Sequence, residues 1–545
     1  MIFSLDQNLK RLFTEKKFFE LEFEIEKLGD LNNLNLNIQN LYAVSKSLNP
    51  ESKIKDHKIA AYFFHKIYLK NKNKDTFYNL IIASVKSAYF QYLEPHIYHE
   101  YEKNKKDIKI LEGLAKMHFF YNDMRNVTKY YNELLNINPQ ILNIWPPFLA
   151  SMNYHRDVSQ EEYLKFCKKF NNLTYSEYNF SIIQNTNKIK VGFFSSDFKT
   201  HSVSFFLKDI ISYLVQDNFE VHLLSNLKSE EEDEMSDIFK KKASFWHRTA
   251  NLQERDFVNF TRSLNLDILI DLNGYTYGNR AKELNSRCAK IQISYCGYCN
   301  TLGLDNFDYI ISDKNLIKTD EGKMYSEKIL YLPNIWNVLT IPDNIPPIKN
   351  FKESSNLNFH FGSFNNFAKI SDETISVWAE LLKDKDCILF LKNSTTFNKE
   401  KKNEILKNKF KKFNVELSQI KILEHKKNKN EHLECYNHID LALDTFPYPG
   451  VTTTFESLLM GVPVLTMRGY NFNSRCGESI NKNIGHEMFI AMDEKDYIQK
   501  AISFKNEKNK LLPDKNLLRS SVLKSSLFDK DSFTKAFSNL LKNLL

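Results

Sequence analysis

The order of apolar and polar positions changes near residue 187 and divides the chain into two regions. Up to about residue 180, long segments rich in Leu, Phe, Tyr and Lys contain hardly any glycine, which is typical of packed helices. After Asn187, short buried-strand runs alternate with helical segments, beginning with IKVGFF at residues 189–194 and VSFFLKDIISYLV behind it. This alternation predicts parallel sheets covered by helices on both faces.

The strand runs form two successive series. The first contains FEVHLLS, LDILIDLNG, IQISYCG and FDYIISD, and the second, from about residue 358, contains NFHFGSF, CILFLK, QIKILEH, IDLALD, VPVLTM and MFIAM. We therefore predict an α/β fold of two Rossmann-like lobes preceded by an all-α, tetratricopeptide-like domain, with bounds of 1–185, 186–345 and 346–545. Ligands of such sheets bind at the carboxyl ends of the strands.

The clearest helical segment covers residues 110–140. If Pro139 closes a tetratricopeptide unit, six residues fall on the packing positions of that repeat: Leu111, Leu114, Ala115, Val127, Tyr131 and Leu134. One repeat length earlier, the charged Glu100 occupies a packing position, so the preceding repeat is degenerate. A plain helical bundle is the alternative.

Size and composition narrow the class of protein. The 545 residues exceed what a single core holds, and a net charge of +8 from 75 basic and 67 acidic residues is too small to indicate a nucleic-acid partner. No apolar run is long enough to span a bilayer, and seven irregularly spaced cysteines fit a reducing compartment. We expect a cytoplasmic protein without a transmembrane segment; the oligomeric state stays open.

The stretch DTFPYPGVTTTFESLLMGVP, residues 444–463, combines a loop with a helix start. It follows the strand run IDLAL and ends at Gly461 and Pro463, which terminate a helix. Threonines at a helix start cap free backbone N–H groups, and the same N–H groups, at the positive end of the helix dipole, bind phosphate. Both roles are open for Thr452, Thr453 and Thr454.

Five ordered motifs point to a known family: VGFFSSDFKTHSVSFF, LDILIDLNGYTYGNR, FGSFNNFAKI, DTFPYPGVTTTFESLLMGVPVLTM and NSRCGESI. Together they resemble the catalytic region of the O-GlcNAc transferase family and its SPINDLY branch over about residues 186–500. The resemblance implies the two-lobed glycosyltransferase fold called GT-B behind helical repeats. It also implies metal-independent, inverting transfer of a sugar from a nucleotide-sugar to a protein side chain.

The resemblance assigns donor-binding roles. Lys369 matches the diphosphate-binding lysine of the family, and the cluster of Thr452, Thr453 and Thr454 would hold the phosphates. His432 stands where the family has a histidine that packs on the base, and Asn366 would contact the diphosphate or the base. Glu456 occupies the position of an acidic residue that hydrogen-bonds the ribose.

Candidates for catalysis lie in the first lobe. His201 matches a family histidine placed between donor and acceptor, where an imidazole could orient or deprotonate a hydroxyl. Asp197 and Asp271 are competing carboxylates at strand ends, and each is equally compatible with a structural cap. Phe205 stands where some relatives have a second histidine, as in the SPINDLY branch, which weakens a two-histidine mechanism.

The C-x-x-C pair of Cys296 and Cys299 suggests zinc or redox chemistry only weakly, because no second pair or histidine set accompanies it. Its segment matches a family loop that would line the sugar site, with Cys299 in place of the usual proline. We expect no metal and no cofactor apart from the nucleotide-sugar substrate.

The favoured function is transfer of GlcNAc from UDP-GlcNAc to Ser or Thr hydroxyls of protein acceptors. The SPINDLY-like segments leave a GDP-fucose donor open, and a related group transfers hexose to Asn. A different class of function is a non-catalytic scaffold, in which helical repeats bind a partner and the transferase lobes are relics. Nucleotide binding separates the enzyme from the scaffold.

Overall fold

The structure is a computed structural model that describes residues 2–179, 188–342, 344–349, 358–392, 399–426 and 428–545. It contains two compact units. One comprises Met1–Ile141 with Glu400–Lys402, and the other comprises Leu142–Lys399 with Asn403–Leu545.

The first unit is helical up to Ile141. Its helices are α1 (Ile2–Thr14), α2 (Phe18–Glu26), α3 (Leu36–Leu48), α4 (Ile54–Asn71), α5 (Lys74–Ser87), α6 (Glu94–Lys103), α7 (Ile108–Phe120) and α8 (Met124–Ile137). The Asp107 and Asp123 carboxylates accept hydrogen bonds from backbone N–H groups at the starts of α7 and α8. The six predicted packing positions of this hairpin are all buried. The tetratricopeptide assignment itself stays a prediction.

The second unit begins with α9 (Trp145–Met152) and α10 (Gln160–Thr174), which pack on the first lobe. The contacts are buried hydrogen bonds: Asn153 Nδ2 donates to the Tyr298 hydroxyl at 2.8 Å, and Gln160 Nε2 donates to Asn300 Oδ1 at 2.7 Å. The chain from Leu142 onward belongs to the second unit, so these two helices are part of the lobe rather than of the first unit. Buried polar side chains that lose their hydrogen-bond partners cost free energy, so removal of the helices would destabilise the lobe.

The first lobe is a parallel sheet with strand order β3-β2-β1-β4-β5-β6-β7. Its elements are β1 (Ile189–Ser195), α11 (Ser202–Gln216), β2 (Phe219–Ser225), α12 (Glu234–Lys242), β3 (Phe245–Arg248), α13 (Glu254–Ser263), β4 (Ile268–Asp271), α14 (Ala281–Leu284), β5 (Ile291–Ser294), β6 (Tyr309–Ser312) and β7 (Lys328–Tyr331). β1 lies beside β2 and β4, with Phe193 opposite Leu223 and Ile270. Apolar side chains on both faces explain the continuous apolar runs of these strands.

The second lobe is a parallel sheet with order β10-β9-β8-β11-β12-β13. Its elements are β8 (Phe359–Ser363), α15 (Asp372–Leu381), β9 (Cys387–Lys392), α16 (Lys399–Lys412), β10 (Ile420–Leu423), α17 (Lys429–Glu434), β11 (Leu441–Leu443), α18 (Thr452–Leu459), β12 (Val464–Met467), α19 (Cys476–Lys482), β13 (Ile490–Ala491), α20 (Glu494–Asn506), α21 (Lys508–Leu511), α22 (Lys515–Val522) and α23 (Lys530–Lys542).

The last two helices pack against one helix of each lobe. α22 lies against α18, where Arg519 Nε donates to the Leu459 carbonyl at 2.7 Å. α23 lies against α11, where Lys542 Nζ is 2.8 Å from Asp217 Oδ2 and Asp217 caps the end of α11. A cation at a helix carboxyl end is favourable because of the helix dipole.

Two parallel sheets follow an all-helical region along the chain, which confirms the predicted α/β fold of two Rossmann-like lobes. Within the described ranges, every helix is too short or too polar to cross a membrane.

Candidate active site

The loop after β11 is organised around one buried carboxylate. Asp444 Oδ1 accepts hydrogen bonds from the backbone N–H groups of Thr445 at 3.0 Å and Gly450 at 2.6 Å, and Oδ2 accepts from the Thr466 hydroxyl at 2.9 Å. Burial raises the pKa of this carboxyl, and these donors oppose the shift. The carboxylate therefore ties both ends of the loop together.

Asn365 extends this network from the end of β8. Its Nδ2 donates to Asp444 Oδ1 and to the Thr445 hydroxyl, both at 3.0 Å, and its Oδ1 accepts from the Thr453 hydroxyl at 2.6 Å. Asn365 is buried, whereas the predicted contact residue Asn366 is exposed and caps the following turn by accepting from the Ala368 N–H at 3.0 Å. The sequence motif FNNF contained the signal for both residues, and our prediction selected only the second.

The start of α18 leaves backbone donors available. Val451 occupies the N-cap position without a side-chain cap, and the Thr454 hydroxyl donates backwards to the Gly450 carbonyl at 3.1 Å. In the described part of the chain, the N–H groups of Thr452 and Thr453 and the Thr452 hydroxyl have no hydrogen-bond partner. The threonines therefore do not cap α18, and its first N–H groups can receive an anion.

Lys369 lies against the same loop. It ends the turn Phe367–Lys369; its Nζ donates to the Pro449 carbonyl at 2.8 Å and lies 3.9 Å from the centre of the Tyr448 ring. Burial lowers the pKa of the Lys369 ammonium to about 8, and Asp444 opposes that shift. The structure thus brings a cation and the free N–H groups of α18 to one loop.

A second group of charges surrounds Glu456 inside α18. The buried carboxylate accepts from His432 Nε2 at 2.8 Å and forms an ion pair with Lys429. Burial opposes ionisation of Glu456, but Lys429 and His432 outweigh it and lower the pKa of the carboxyl to about 2. Glu456 can reach a ribose hydroxyl only by exchanging one of these partners.

His432 lies between Glu456 and Lys392. The Lys392 ammonium contacts Nδ1, so a neutral ring accepts there and carries its hydrogen on Nε2, which faces Glu456. Lys392 and Lys429 were missed in the sequence, because neither belongs to a motif that marks it as a site residue. Their position beside Glu456 is visible only in the folded chain.

A cavity of about 110 Å³ separates the two lobes beside Glu456. Lys429 and Leu459 line it from the second lobe, and Phe205, Leu339 and Pro342 line it from the first. The Lys429 ammonium lies 4.6 Å from the centre of the Phe205 ring. Small-molecule pockets usually measure about 300–1,000 Å³, so this cavity by itself is smaller than a typical ligand pocket.

His201 is the N-cap residue of α11. Its Nδ1 accepts from the Val203 N–H at 3.4 Å and lies 3.7 Å from Asp197 Oδ2. The side chain is 44% exposed, and within the described ranges its Nε2 has no hydrogen-bond partner. Burial raises the pKa of Asp197 above its ordinary value, and the nearby His201 opposes the shift. The structure therefore brings these two separately predicted candidates close together, with His201 exposed.

Asp271, the third candidate, is enclosed. Its oxygens accept from the Asn273 N–H at 3.1 Å and the Gly274 N–H at 2.9 Å, and the residue is 1% exposed. Burial raises the pKa of its carboxyl to about 7. These are the contacts of a turn cap, the structural alternative to a catalytic role, and the structure does not place Asp271 at the surface with His201.

The described ranges hold no group of three or more His, Cys, Asp and Glu side chains arranged to bind a metal ion. Cys296 and Cys299 both lie in the loop after β5, and Cys299 Sγ is 3.9 Å from the Cys296 carbonyl oxygen. The predicted metal independence stays a prediction.

Two helix-covered parallel sheets with candidate ligand loops at their carboxyl ends define the GT-B class of glycosyltransferase. An O-GlcNAc transferase mutant from Thermobaculum terrenum has this fold, with a TM-score of 0.81, 19% identity and coverage of 94% of this chain and 98% of that chain. The chain belongs to Glycosyl transferase family 41, whose sequence model matches residues 151–350 and 355–537. This confirms the family that the motifs indicated.

The SPINDLY relatives are similar over the same region. The chain is 28% identical over 418 residues to the "Probable UDP-N-acetylglucosamine--peptide N-acetylglucosaminyltransferase SPINDLY" of Solanum lycopersicum, covering 75% of this chain and 45% of that protein. The protein of the same description from Oryza sativa subsp. japonica is 28% identical over 426 residues, covering 76% and 45%. The match thus spans less than half the length of these curated relatives.

Proposed function

We propose that the chain transfers a sugar from a nucleotide-sugar to Ser or Thr hydroxyls of proteins, with inversion and without a metal ion. UDP-GlcNAc is the favoured donor, supported by the donor named in the descriptions of the SPINDLY relatives. The observation that carries the proposal is the meeting of Lys369 with the uncapped start of α18 at the Asp444–Gly450 loop.

The loop supplies what the leaving group needs. When the bond from the sugar to the β-phosphate breaks, negative charge develops on the phosphate oxygens. The Thr452 and Thr453 N–H groups, the Thr452 hydroxyl and the Lys369 ammonium are donors that this charge can use. Since the Asp444 and Asn365 contacts already fix the loop, little reorganisation is needed when the charge appears.

The nucleoside end of the donor fits the charged group around Glu456. His432 offers an imidazole face to the base, and Lys429 and Glu456 offer a cation and a carboxylate to the ribose hydroxyls. The Lys429 contact with Phe205 of the first lobe means that this end of the site is shared by both lobes.

The acceptor hydroxyl would lie at His201. Inversion requires attack on the anomeric carbon from the face opposite the phosphate, and the attacking oxygen must lose its proton. His201 Nε2 can accept that proton only in the tautomer with hydrogen on Nδ1, so Nδ1 must give up its 3.4 Å hydrogen bond from the Val203 N–H. Asp197 Oδ2, 3.7 Å from Nδ1, is the group that could then accept the Nδ1 hydrogen. We therefore favour His201 as base and Asp197 as its orienting partner, with Asp271 as a structural cap.

The test is intact-mass analysis of candidate protein acceptors incubated with the chain and UDP-GlcNAc, GDP-fucose or UDP-glucose, each with and without excess EDTA. The expected result is a GlcNAc increment that persists in EDTA. A fucose or hexose increment would show that the donor is not UDP-GlcNAc, while the chain would still be a protein glycosyltransferase. Loss of transfer in EDTA with recovery on manganese would contradict the metal-independent mechanism.

Nucleotide binding separates this function from the scaffold alternative. A ligand at a hundred times its dissociation constant adds about 2.7 kcal/mol to the free energy of unfolding, which a thermal-shift measurement detects. UDP should stabilise the wild-type chain more than GDP does. A chain that neither nucleotide stabilises, and that modifies no acceptor, would be a scaffold with relic lobes.

A further inference from the structure

A loop that precedes both sheets reaches the Lys369 ammonium through two tyrosines. The loop between α9 and α10, residues 153–159, places the centre of the Tyr154 ring 4.9 Å from the centre of the Tyr448 ring, with an angle of 50° between the ring planes. The Tyr448 ring lies 3.9 Å from the Lys369 ammonium. Both rings are partly buried. Tyr154, Tyr448 and Lys369 therefore form a continuous row that ends at the proposed diphosphate site.

The residue before Tyr154 is bound to both lobes. Asn153 is buried, and its Nδ2 donates to the Tyr298 hydroxyl of the first lobe at 2.8 Å. The Asn153 carbonyl oxygen accepts from Asn473 Nδ2 of the second lobe at 3.3 Å. The backbone at the start of the loop is therefore fixed in the cleft between the lobes.

The residue after Tyr154 is held as well. His155 is buried, and its carbonyl oxygen accepts a hydrogen bond from the Tyr470 hydroxyl of the second lobe at 3.1 Å. Because the backbone is bound on both sides of Tyr154, the Tyr154 ring has little freedom to leave Tyr448. The loop thus presents an aromatic ring at a fixed place.

Tyr154 makes this contact with its ring and not with its hydroxyl. Burial raises the pKa of the Tyr154 hydroxyl to about 12, and no hydrogen bond contributes to that shift. Tilted aromatic pairs at such a separation attract each other. On the other side, the Thr445 hydroxyl donates to the Tyr448 carbonyl at 2.7 Å, which fixes the backbone of Tyr448 but not its ring. We therefore expect the Tyr154 ring to decide where the Tyr448 ring lies.

The Tyr448 ring in turn helps to place the Lys369 ammonium. The ammonium carries three hydrogens, and one of them is donated to the Pro449 carbonyl at 2.8 Å. The face of the Tyr448 ring attracts the positive charge, while the remaining hydrogens can reach a phosphate. Displacement of a group in an active site by about 1 Å can lower the rate by about a hundredfold, so whatever fixes Lys369 matters for transfer.

We propose that Tyr154 is a positioning residue of the donor site: it holds the Tyr448 ring in place and thereby fixes the Lys369 ammonium at the phosphate loop. The effect on sugar transfer rests on the proposed function, whereas the coupling of Tyr154 to Lys369 does not. The donor site then includes a segment outside both parallel sheets, which contributes no group that touches the substrate.

The surroundings of Lys369 provide a readout that needs no ligand. The ionisable groups around the ammonium are Asp444, Cys299, Cys476 and Tyr448. Burial outweighs them and lowers the pKa of Lys369 to about 8, from an ordinary value of 10.5. Without the Tyr154 ring, Tyr448 can move and water can reach the ammonium. Because water stabilises the charged form, the pKa of Lys369 should then rise.

The first experiment measures this pKa in the full chain. The chain is acetylated with limiting acetic anhydride between about pH 6 and pH 11, and the modified fraction of Lys369 is quantified by peptide mapping. The midpoint should lie near pH 8 in the wild type. It should lie at least about one unit higher in Tyr154→Ala and be unchanged in Tyr154→Phe, which keeps the ring. Tyr154→Leu, which keeps apolar volume in the loop, gives the same comparison if the alanine variant does not fold.

The matched control is Tyr309→Ala. Tyr309 is a half-buried tyrosine at the amino end of β6, whereas the site lies at the carboxyl ends of the strands. This variant should lose stability without moving the midpoint of Lys369. A wild-type midpoint in the variants that lack the Tyr154 ring, or an equal shift in Tyr309→Ala, would overturn the proposal.

The second experiment is a double-mutant cycle in sugar transfer. Tyr154→Ala should lower kcat by about tenfold, and Tyr154→Phe should restore it. In a chain that already carries Lys369→Ala, the further change Tyr154→Ala should alter kcat by less than about twofold, since the group that Tyr154 positions is gone. An equal fall in both backgrounds would mean that Tyr154 supports the fold and does not act through Lys369.

The two experiments fail separately. If the wild-type chain transfers no sugar and binds neither UDP nor GDP, the proposed function is wrong. The acetylation midpoints still decide whether Tyr154 positions Lys369, because they require no nucleotide. If transfer occurs but the midpoints of wild type and Tyr154→Ala coincide, the proposed function stands and the role of Tyr154 is refuted.

Discussion

The two lobes present their polar residues in opposite ways. In the second lobe, Asp444 and Asn365 are buried, and each bonds with groups on separate segments of the chain. In the first lobe, His201 is 44% exposed, and its two polar contacts are 3.4 and 3.7 Å long. The proposed donor half is therefore organised by contacts within the chain, whereas the proposed acceptor half leaves its main side chain exposed.

This difference fits what we propose that each half binds. A diphosphate is a small anion of fixed geometry, and a fixed set of donors stabilises it at the least cost in reorganisation. A protein acceptor varies in shape and brings its own hydrogen-bonding groups, so a rigid cage around His201 would exclude it. A change in one half that alters the step assigned to the other half would contradict this comparison.

Replacement of Lys369 by Ala should produce the largest effect. Loss of one preorganised transition-state donor lowers turnover by about a hundredfold or more, and Lys369 is the cation at the loop. The measurement is kcat with a protein acceptor at saturating donor. The exposed Lys421 of β10, changed to Ala, is the matched control and should retain kcat. Turnover of Lys369→Ala within about threefold of wild type would remove Lys369 from the mechanism.

His201→Ala should lower kcat by about a hundredfold, within the usual range for a general base, and leave UDP affinity unchanged. It also removes the cap of α11, which costs about 1 kcal/mol of stability. His201→Asn is the matched variant, since an amide oxygen can cap the helix but cannot take a proton. If His201→Asn restores kcat as well as the melting temperature, His201 is only a cap.

A chain that begins at Leu142 should keep its nucleotide affinity and transfer sugar to protein acceptors about tenfold more slowly, because stacked helical hairpins provide an extended binding surface. The measurements are UDP calorimetry and transfer to a folded protein acceptor. A chain that begins at residue 180 is the contrast: it also lacks α9 and α10 and removes the bonds of Asn153 and Gln160 to Tyr298 and Asn300, so its melting temperature should fall. Unchanged protein transfer by the first chain would contradict an acceptor role for the helices.

Thr452→Val should weaken UDP binding by about tenfold, since a charge-assisted hydrogen bond contributes about 1.5–3 kcal/mol. The melting temperature should not change, because the Thr452 hydroxyl has no partner within the described residues. Thr453→Val provides the contrast: it takes the donor from Asn365 Oδ1 and should lower stability as well. Unchanged UDP affinity of Thr452→Val would reduce the phosphate site to backbone N–H groups and Lys369.

The smallest effect concerns pH. Burial lowers the pKa of Lys369 to about 8, so the free chain loses this positive charge as pH rises through that value. UDP affinity should therefore fall several-fold between pH 7 and pH 9, by about tenfold for each unit at the most. Lys369→Arg keeps its charge over this range and should show a flat profile in the same calorimetry. A wild-type profile as flat as that of the arginine variant would contradict the lowered pKa.

The sequence revealed the central strands better than the outer ones. β1, β4, β8 and β11 are buried on both faces and appear as apolar runs, so they were predicted. β3 and β7 lie at sheet edges, where side chains such as Phe245, 48% exposed, do not produce such a run. Neither of these two strands was predicted, because half-exposed strands lack the pattern that identifies buried ones. The edge strands β10 and β13 of the second sheet were predicted, from the runs QIKILEH and MFIAM.

The candidate site shows a similar limit. Lys369 and the threonines were found because each lies within one contiguous motif. Asn365, Lys392 and Lys429 act through partners far along the chain, such as the bond from Asn365 to Thr453, and such pairs appear only when the chain is folded. The enclosure of Asp271 was likewise hidden, since a carboxylate at a strand end has the same sequence pattern whether it caps a turn or faces a ligand.

The last two helices connect the two lobes through contacts at the carboxyl ends of α18 and α11. Arg519 of α22 contacts the last turn of α18, whose first turn carries the proposed phosphate donors. Lys542 of α23 contacts the end of α11, whose start carries His201. The chain thus crosses between the lobes a second time, so the lobes cannot move far apart without breaking the contact of α23 with α11. We therefore expect a change in either of these last two helices to be felt at the starts of both α18 and α11, although neither helix lies at the candidate site.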